Sequence, residues 1–584
     1  MKILSTKSFK QAMNCNPYTS AILRYNNIDL KNIPYFFPDK NRVYEPEHFL
    51  YLMKPIDNGQ EFVEFIKNNK DKRYCIIGDY DCDGIMATVI MCQTLAMLGI
   101  TSTYIIPDRF NDGYGMKKQH VDYAIQSGCE VVITVDNGIT TNEVIDYAHE
   151  NNLIVLVTDH HKPKGPNNGD IVIDPLYNND EFKGISGATV ALKLSYLLFK
   201  EFDLYVQNKD LVNDLVVLAG ITAISDVMPT INENRILIKA TLNHLNNKVN
   251  TSCFIRRLAI LLDFYITESE TEIKRFKNFN KSTIEYYFVP VINAVNRVIG
   301  NVNQLVADIL ELFHSESSIE EKTYSSINKQ RQKMKADLED QCQFTSDSVQ
   351  VQLLPHQAFQ NMSGIAGLIA SYVSEEKNCP AIIGVDNLND DGIEHFSGRS
   401  VPGFSLFNAV KNVAEKHPEL YINYGGHDAA LGCALKRNEI ELFRKYISEE
   451  YDNSHEIKEE EYFLTEDFPK YIQVFERLAP FGNGFEFPKF YTKTKLKNVN
   501  MDYRSIVAWS MPNVFIKCYK HKDLLYLNNM KNINPNAEIE LIISLTYDNF
   551  HGNTLIRLEK ILDHDDYIDH LVETQLQYEI NKRW

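Results

Sequence analysis

The feature that most constrains the fold is a series of short, unbroken runs of apolar and mostly β-branched residues near the start of the chain. The clearest runs lie at residues 74–77, 131–135, 153–157 and 171–173. Unbroken runs of this kind are typical of strands buried on both faces of a sheet. Helix-compatible segments at 85–98 and 141–151 separate them. Strands that alternate with helices predict βαβ units and a parallel sheet.

The pattern changes further along the chain. Residues 235–347 have mostly helical spacing, and an α/β pattern returns at 350–434. After an acidic stretch at 456–461, the β-prone runs at 541–546 and 554–558 predict a small β-barrel. The expected fold class is therefore α/β, with a parallel-sheet domain, a helical connection, a smaller α/β domain and a C-terminal barrel.

Composition sets outer limits on the function. The chain has 584 residues, of which 44% are hydrophobic and 24% are charged, as in ordinary globular proteins. No apolar run is long enough to cross a bilayer, and the first residues lack the apolar core of a secretory signal. The ten cysteines form no CxxC pair, which favours reduced thiols over a disulfide framework or a structural zinc site. We expect a cytoplasmic protein.

The net charge gives no support for nucleic-acid binding. The chain carries 60 Lys and Arg against 78 Asp and Glu, a formal charge of −18. An acidic chain can still bind nucleic acid where its basic groups gather in one cleft. Any nucleic-acid site must therefore be a local concentration of positive charge.

Acidic and imidazole side chains follow three of the apolar runs at the point where each strand should end. One aspartate after a strand is ordinarily a turn residue or a helix cap, but three such strand ends in succession indicate a site. Because ligands bind beyond the carboxyl ends of strands in an open parallel sheet, these groups should meet in one crevice. They are Asp79, Asp81 and Asp83 after the first run, Asp136 after the second, and Asp159, His160 and His161 after the third.

Such a concentration of acids predicts bound cations. Clustered carboxylates raise one another's pKa values unless positive charge neutralises them. Oxygen ligands combined with imidazole suit Mn²⁺ or Mg²⁺, and two such ions about 3.5–4 Å apart form the usual clamp for displacement at phosphorus. An EF-hand calcium loop, which the spacing of Asp79, Asp81 and Asp83 also resembles, is excluded because Ile90 stands where its final glutamate is needed.

The order of these motifs resembles the DHH phosphoesterase superfamily, and within it the RecJ branch. The resemblance extends over nearly the whole chain and keeps the motifs in order, which makes it far more specific than any one of them. The first part supplies GDYDCDG at 78–84, NDGYG at 111–115, VDNG at 135–138, DHH at 159–161, SGA at 186–188, SDVMP at 225–229 and ENR at 233–235. The rest supplies PVINAVNR at 290–297, NKQR at 328–331, SGIAG at 363–367, SGRS at 397–400, YGGH at 424–427 and LAPFG at 478–482.

The resemblance implies a role for each candidate metal ligand. Asp81 and Asp83 would bind one of two Mn²⁺ or Mg²⁺ ions each, and Asp136 would bridge both. His160 and Asp226 would complete the second site, while Asp79 would either bind at the first site or support it. Since neighbouring residues of an extended segment point in opposite directions, His160 and His161 should not serve the same ion, and His161 should contact the scissile phosphate.

The resemblance also implies contacts to DNA. Arginine offers a rigid fork that suits phosphate oxygens. The implied phosphate-binding residues are Arg109, Arg297, Ser397, Arg399, Gly425, Gly426 and His427. Three departures from the family pattern bear on these contacts: an arginine is replaced by Val291, a glycine is replaced by Asn296, and the family's Trp-His is absent at 361–363.

The implied architecture has five parts. They are a DHH catalytic domain at 1–240, a helical connection at 241–348, a DHHA1 domain at 349–455, an OB-fold-like domain at 456–565 and a tail at 566–584.

The implied activity is a single-stranded-DNA-specific exonuclease that acts from 5′ to 3′ by two-metal catalysis in DNA repair or recombination. One alternative is a phosphodiesterase for short oligonucleotides or cyclic dinucleotides, as in shorter members of the superfamily. The OB-like tail disfavours it, because such barrels stack bases and follow a strand's backbone. Another is a DNA-binding scaffold without catalysis. The expected partner is single-stranded DNA, with a single-strand-binding protein or a helicase as candidate protein partners, no membrane and a monomeric state.

Overall fold

Within the described residues, twenty strands form three principal sheets and one small hairpin. The structure is a computed structural model. The described residues are 2–4, 16–37, 49–50, 52–246, 252–262, 266–269, 272–274, 279–314, 324–355, 362–386, 392–454, 461–464, 468–502, 505–508, 515–517, 527, 531–532, 534–547 and 554–562. The predicted tail at 566–584 lies outside them.

The first sheet is parallel throughout, as the unbroken apolar runs predict. Its order is β3-β2-β4-β5-β6, and each neighbouring pair is parallel. The edge strand β3 was not anticipated, because its residues are only half-buried and form no apolar run. The strands of the first half are β1 (Lys2–Leu4), β2 (Tyr74–Ile77), β3 (Ser102–Ile105), β4 (Val131–Val135), β5 (Ile154–Thr158), β6 (Ile171–Ile173), β7 (Ile266–Ser269) and β8 (Glu272–Lys274).

Helices cover both faces of this sheet. Successive strand residues face opposite sides, so Ile76 and Ile133 pack in one core while Cys75 and Val132 pack in another. Helix α4, which follows β2, is buried on nearly all sides and packs against α7 and α8. The helices here are α1 (Pro17–Tyr25), α2 (Ile33–Phe36), α3 (Gly59–Asn68), α4 (Cys82–Met97), α5 (Lys118–Gln126), α6 (Asn142–Glu150), α7 (Gly187–Glu201), α8 (Lys209–Ser225) and α9 (Asn232–Asn246).

A helical region connects the first sheet to the second. The predicted domain boundary after residue 240 falls inside α9, so the chain passes it as continuous helix. Helix α12 packs against the long helix α14. The helices are α10 (Cys253–Leu261), α11 (Lys281–Thr283), α12 (Val289–Val298), α13 (Asn303–Glu311) and α14 (Tyr324–Glu339), with a π-helical turn at Ile284–Phe288.

The second sheet is smaller and mixed. Its order is β12-β13-β11-β10-β9, with only β9 and β10 parallel. It lies within the segment predicted as a second α/β domain. Its elements are β9 (Gln350–Leu354), α15 (Ala366–Lys377), β10 (Ala381–Val385), β11 (Ile393–Arg399), α16 (Leu406–Lys416), β12 (Ile422–His427), β13 (Ala430–Lys436) and α17 (Ile440–Ser454).

The C-terminal part forms a third sheet of eight strands. Its order is β1-β14-β15-β19-β20-β18-β17-β16, so the N-terminal strand β1 forms one of its edges. This part of the chain is rich in strands, as the sequence predicts. That the strands close into an OB-like barrel stays a prediction. Its elements are β14 (Glu461–Leu464), α18 (Phe468–Leu478), β15 (Phe490–Lys495), β16 (Val499–Asp502), β17 (Ser505–Ala508), β18 (Phe515–Lys517), β19 (Glu538–Tyr547) and β20 (Thr554–Ile561).

No helix within the described ranges is both long enough and apolar enough to span a lipid bilayer.

A buried carboxyl in α8 makes the stability of the protein depend on pH. Burial raises the pKa of Asp214 from 3.8 to about 7, although a hydrogen bond from Ser252 opposes the shift. A carboxyl whose pKa is higher in the folded state destabilises the fold as pH rises between these two values. Asp214→Asn should therefore raise the stability at pH 8 by about 2 kcal/mol, or roughly 4 °C in thermal midpoint, with little gain at pH 4.

Thermal melts of the wild type and the variant at pH 4, 6 and 8 test this expectation. Asp203→Asn, at an exposed position, is the control that should leave the midpoint unchanged at each pH. Equal midpoints for Asp214→Asn and the wild type at pH 8 would contradict the expected cost of that buried charge.

Candidate metal centre and arginine cluster

The acidic strand ends meet in one crevice at the carboxyl edge of the first sheet. The strands β2, β4 and β5 are adjacent and parallel, so their ends lie side by side. Three overlapping groups of carboxylate and imidazole atoms lie there, with all atoms of a group within 4.8 Å of one another. The groups are Asp79, Asp81 and Asp136; Asp83, His160 and Asp226; and Asp136, His160 and His161.

The first group combines three carboxylates around the start of α4. Asp81 caps this helix, and its Oδ1 accepts hydrogen bonds from the backbone N–H groups of Asp83 and Gly84. Asp79 is buried, and its Oδ1 has no hydrogen-bond partner. A buried carboxylate oxygen without a donor is costly unless a cation satisfies it. This group therefore fits a hard divalent ion.

The second group combines two carboxylates with one imidazole. Nε2 of His160 lies 3.6 Å from Asp83, 3.7 Å from Asp226 and 3.1 Å from Asp136. Asp83 is held in place because its two oxygens accept hydrogen bonds from the N–H groups of Gly187 and Ala188, at 2.6 and 3.0 Å. These N–H groups open α7, where the helix dipole favours an anion.

His161 lies beside His160, contrary to the expectation that the two rings point apart. The ring centroids are 4.5 Å apart, and Nδ1 of His161 lies 3.8 Å from Asp136. The expectation assumed an extended backbone, but β5 ends at Thr158. Asp159 then turns the chain, because its Oδ1 accepts from the N–H groups of His160 and His161 and lies 2.8 Å from Nδ1 of His161. Both imidazoles thus reach the same crevice.

Asp136 belongs to two of the three groups, and its backbone conformation is unusual. Its φ is +61°, in the left-handed region that residues other than glycine seldom adopt. Gly187 packs directly against it, and a Cβ placed there would lie 2.6–2.8 Å from Asp136 Cβ, Cγ and Oδ1. The position at 187 therefore has no room for a side chain.

The electrostatics of the crevice favour bound cations. Burial raises the pKa of Asp79 and that of Asp136 well above the usual range, and neighbouring aspartates add to both shifts. Burial, with Asp83 and Asp81, raises the pKa of Asp226 to about 7 even though the charge of His160 opposes the shift. Raised pKa values of this kind are the electrostatic cost predicted from the clustering, and bound cations would offset it.

Four arginines from separate elements form a positive cluster next to the crevice. Burial, together with the charges of the other three, lowers the pKa of Arg297 to about 9. Electrostatic interactions link this cluster to the acidic crevice. The charge of Arg109 lowers the pKa of Asp79, and the charge of Asp81 raises the pKa of Arg297. Among the described residues no carboxylate pairs with any of the four. The arginines are Arg109 after β3, Arg297 in α12, Arg331 in α14 and Arg399 at the end of β11.

The remaining predicted DNA contacts lie on the second sheet. Ser397 is on β11, and a Cβ at Gly367 would come within 3.2 Å of Nη2 of Arg399 and 3.7 Å of Oγ of Ser397. Gly425 and Gly426 lie on β12, which also contains the backbone of His427. The side chain of His427 lies outside the described residues. A Cβ at Gly425 would meet open space, so the surface there is accessible.

Three residues near the site had been given no role from the sequence. Arg331 stands in the motif at 328–331 and completes the arginine cluster. The hydroxyl of Tyr114 lies 3.1 Å from Nδ1 of His161. Asn296, where the family pattern has glycine, accepts a hydrogen bond from Arg109 at 3.2 Å and donates one to the carbonyl of Tyr80. All three lie in quoted motifs, but only the fold shows what they contact.

The chain is similar to known proteins. Residues 73–221 match the DHH family, N-terminal domain. The single-stranded-DNA-specific exonuclease RecJ of Bacillus subtilis (strain 168) is 28% identical over 502 residues, which is 82% of this chain. The match spans 58% of that relative's length.

Solved structures share the fold as well. The crystal structure of RecJ from Thermus thermophilus in complex with Mn²⁺ has a TM-score of 0.72 at 21% identity, covering 96% of this chain and 79% of that one. The structure of the same protein in complex with Mg²⁺ has a TM-score of 0.65 at 20% identity, covering 96% and 78%.

The parallel sheet, its acidic edge and the family match define a protein with a DHH domain. The second sheet and the C-terminal sheet extend the likeness over almost the whole chain. Residues 73–221 therefore form a domain of the DHH type, and most of the chain is similar to RecJ exonucleases.

Proposed function

We propose that this chain is a single-stranded-DNA-specific exonuclease that digests DNA from its 5′ end with two divalent metal ions. One observation carries the proposal: two groups of metal-ligating side chains share a crevice with four arginines that no described carboxylate neutralises. Carboxylates and imidazoles bind metal cations, and guanidinium groups bind phosphates. Such a combination suits hydrolysis of a phosphodiester.

The metal ligands divide between the two groups. Asp79, Asp81 and Asp136 would hold one Mn²⁺ or Mg²⁺ ion, and Asp83, His160 and Asp226 would hold the other. Asp136 lies 3.1 Å from His160, which places it between the groups and suits it to bridge both. When bound, the ions would activate the attacking water and stabilise charge on the phosphate.

His161 is the best candidate for a direct contact with the scissile phosphate. Burial by itself would lower the pKa of His161, but the hydrogen bond with Asp159 and the charge of that residue raise it to about 9. Its ring is 42% exposed, whereas that of His160 is 8% exposed. A cationic and accessible imidazole can donate a hydrogen bond to a phosphate oxygen.

The arginine cluster supports recognition of a strand end. Guanidinium groups repel one another when they are gathered in a partly buried site, and a phosphate monoester supplies the two negative charges that relieve this repulsion best. A terminal 5′-phosphate next to the metal groups would place the first phosphodiester bond at the ions. This arrangement gives 5′-to-3′ polarity and release of mononucleotides.

Two other functions are less well supported. A phosphodiesterase for dinucleotides or other short oligonucleotides would not need the C-terminal sheet of eight strands. A DNA-binding scaffold without catalysis would not need an Asp or His at every ligand position. The proposed exonuclease would act in the cytoplasm in DNA repair or recombination, as a monomer that cooperates with a single-strand-binding protein or a helicase.

A nuclease assay tests the proposal directly. End-labelled single-stranded, duplex and 5′-blocked DNA, together with a dinucleotide, are incubated with Mn²⁺, with Mg²⁺ or with EDTA. We expect metal-dependent release of mononucleotides from the 5′ end of single strands only. Digestion that begins at the 3′ end would overturn the polarity, and exclusive cleavage of the dinucleotide would favour the first alternative.

Replacing Arg399 tests the role of the arginine cluster. Arg399→Ala should reduce the preference for 5′-phosphorylated over 5′-hydroxyl single strands by about tenfold, since a hydrogen bond between charged groups contributes roughly 1.5–3 kcal/mol. The ratio of kcat/KM for the two substrates gives the preference. Arg437→Ala, at the position directly after β13 of the same sheet but paired with Asp386, is the control and should leave the ratio unchanged. An unaltered ratio in Arg399→Ala would remove this residue from end recognition.

A further inference from the structure

A loop from the C-terminal part of the chain packs against the segment that carries Asp226. The loop at 479–486 connects α18 to β15, and the segment at 226–235 connects α8 to α9. More than 240 residues separate them in sequence, yet several hydrogen bonds join them. None of the residue roles that the family resemblance implies involves this contact.

Asp226 sits at a strained helix end. It is the C-terminal cap of α8, and the next residue, Val227, has φ of +52°. The N–H groups of Val227 and Met228 bond to the carbonyls of Ile224 and Ala223, as in a Schellman motif. Glycine is the usual residue at this left-handed position, and a β-branched residue there is rare and strained. The conformation beside Asp226 therefore needs support from elsewhere.

Asn483 of the loop supplies that support. Its side-chain Nδ2 donates to the carbonyl of Val227 at 3.0 Å, and its own carbonyl accepts from the N–H of Thr230 at 2.7 Å. These two bonds lie one and four residues after Asp226. They fix the direction in which the chain leaves α8, and with it the orientation of the Asp226 carboxylate.

The loop itself is anchored firmly to the same segment. Arg235 is fully buried and donates to the carbonyls of Leu478, Ala479 and Pro480. Its guanidinium also lies over the ring of Phe485, 4.9 Å from the centroid. Because Arg235 holds both ends of the loop, Asn483 has little freedom to move away from Val227.

We propose that Asn483 is a positioning residue for the second metal group: through Val227 it holds Asp226 where it can bind an ion together with Asp83 and His160. This inference rests on the proposed two-metal function, which it deepens. It makes the C-terminal part of the chain a component of the metal centre. A change that displaces the loop at 479–486 will weaken metal binding at a residue that is remote from it in sequence.

The test is a titration of the full-length protein with MnCl₂, followed by the loss of the free Mn²⁺ signal in electron paramagnetic resonance. The wild type should bind two ions, and Asp226→Ala identifies which binding event belongs to the second group. Asn483→Ala should weaken that same event by about tenfold and leave the other within about twofold, as is usual when a residue that orients a ligand is lost. Asn151→Ala is the matched control, since its amide donates to the exposed carbonyl of Tyr147 far from the site.

A second variant separates positioning from general stabilisation. Val227→Gly removes the strain at the left-handed position, so adding Asn483→Ala to it should weaken Mn²⁺ binding by less than about threefold. If Asn483→Ala lowers only the thermal midpoint and binds both ions as tightly as the wild type, the proposal is wrong. A wild type that binds two ions but digests no DNA would refute the proposed function and leave the role of Asn483 measurable. Binding of fewer than two ions by the wild type would refute both.

Discussion

Replacing Asp136 by asparagine is expected to have opposite effects on activity and on the stability of the metal-free protein. Nuclease activity should fall by about a thousandfold or more, because loss of the proposed bridging ligand would remove several kcal/mol of transition-state stabilisation and each ~1.36 kcal/mol is a factor of ten. Asparagine keeps the size of the side chain and tolerates the left-handed backbone at φ of +61°. The loss therefore reports on the carboxylate.

The expected gain in stability follows from the pKa of Asp136. Burial, together with Asp83 and Asp81, raises this pKa well above the unfolded value. A carboxyl with a raised folded-state pKa destabilises the fold at every pH above its unfolded value, so at pH 8 and in EDTA the neutral amide should melt at a higher temperature. Saturating Mn²⁺ should reverse the order, because ions bound only to the folded state stabilise the wild type more.

Melting curves in EDTA and in Mn²⁺, together with single-turnover rates on 5′-phosphorylated single strands, measure both effects. Asp203→Asn is a close control, because Asp203 also has a positive φ, of +54°, but is exposed and remote from the site. It should change neither the rate nor the melting temperature. Activity within tenfold of the wild type in Asp136→Asn would remove Asp136 from the metal centre.

Gly187→Ala is expected to lower activity by about a hundredfold, although it adds only a methyl group. The new Cβ would lie 2.6–2.8 Å from three atoms of Asp136, closer than real contacts allow. The backbone N–H of the same residue donates to Asp83 at 2.6 Å, so neither Gly187 nor Asp136 can move without disturbing a ligand. Misplacement of a reacting group by about 1 Å can cost about a hundredfold in rate.

A matched glycine gives the control. Gly165→Ala adds the same methyl group at an exposed position where a Cβ would have no neighbour within 4 Å. It should keep full activity and the wild-type affinity for Mn²⁺. The two variants are compared by kcat on a single-stranded substrate and by Mn²⁺ titration. Equal activities for both would show that the close packing of Gly187 on Asp136 does not position the carboxylate.

The parallel sheet and the chemical character of its edge could be predicted from the order of residues along the chain. Strands β2, β4, β5 and β6 are buried on both faces, and for that reason they appear as unbroken apolar runs. The candidate aspartates and histidines closely follow β2, β4 and β5, so local order in the chain was enough to predict that they meet. Strand β3 was missed because a half-buried edge strand needs no such run.

How the side chains combine could not be predicted in this way, because it depends on the packing of distant elements. Which side chains lie close enough to share an ion depends on the turn made by Asp159, which brings His160 and His161 to one side, and on the start of α7, which holds Asp83. Arg109, Arg297, Arg331 and Arg399 come from four distant elements, and nothing in their sequence separation indicates that their charges meet. The bond from Asn483 to Val227 joins residues 256 positions apart. Apolar periodicity is a local property and can be read along the chain, whereas such contacts exist only after distant elements have packed.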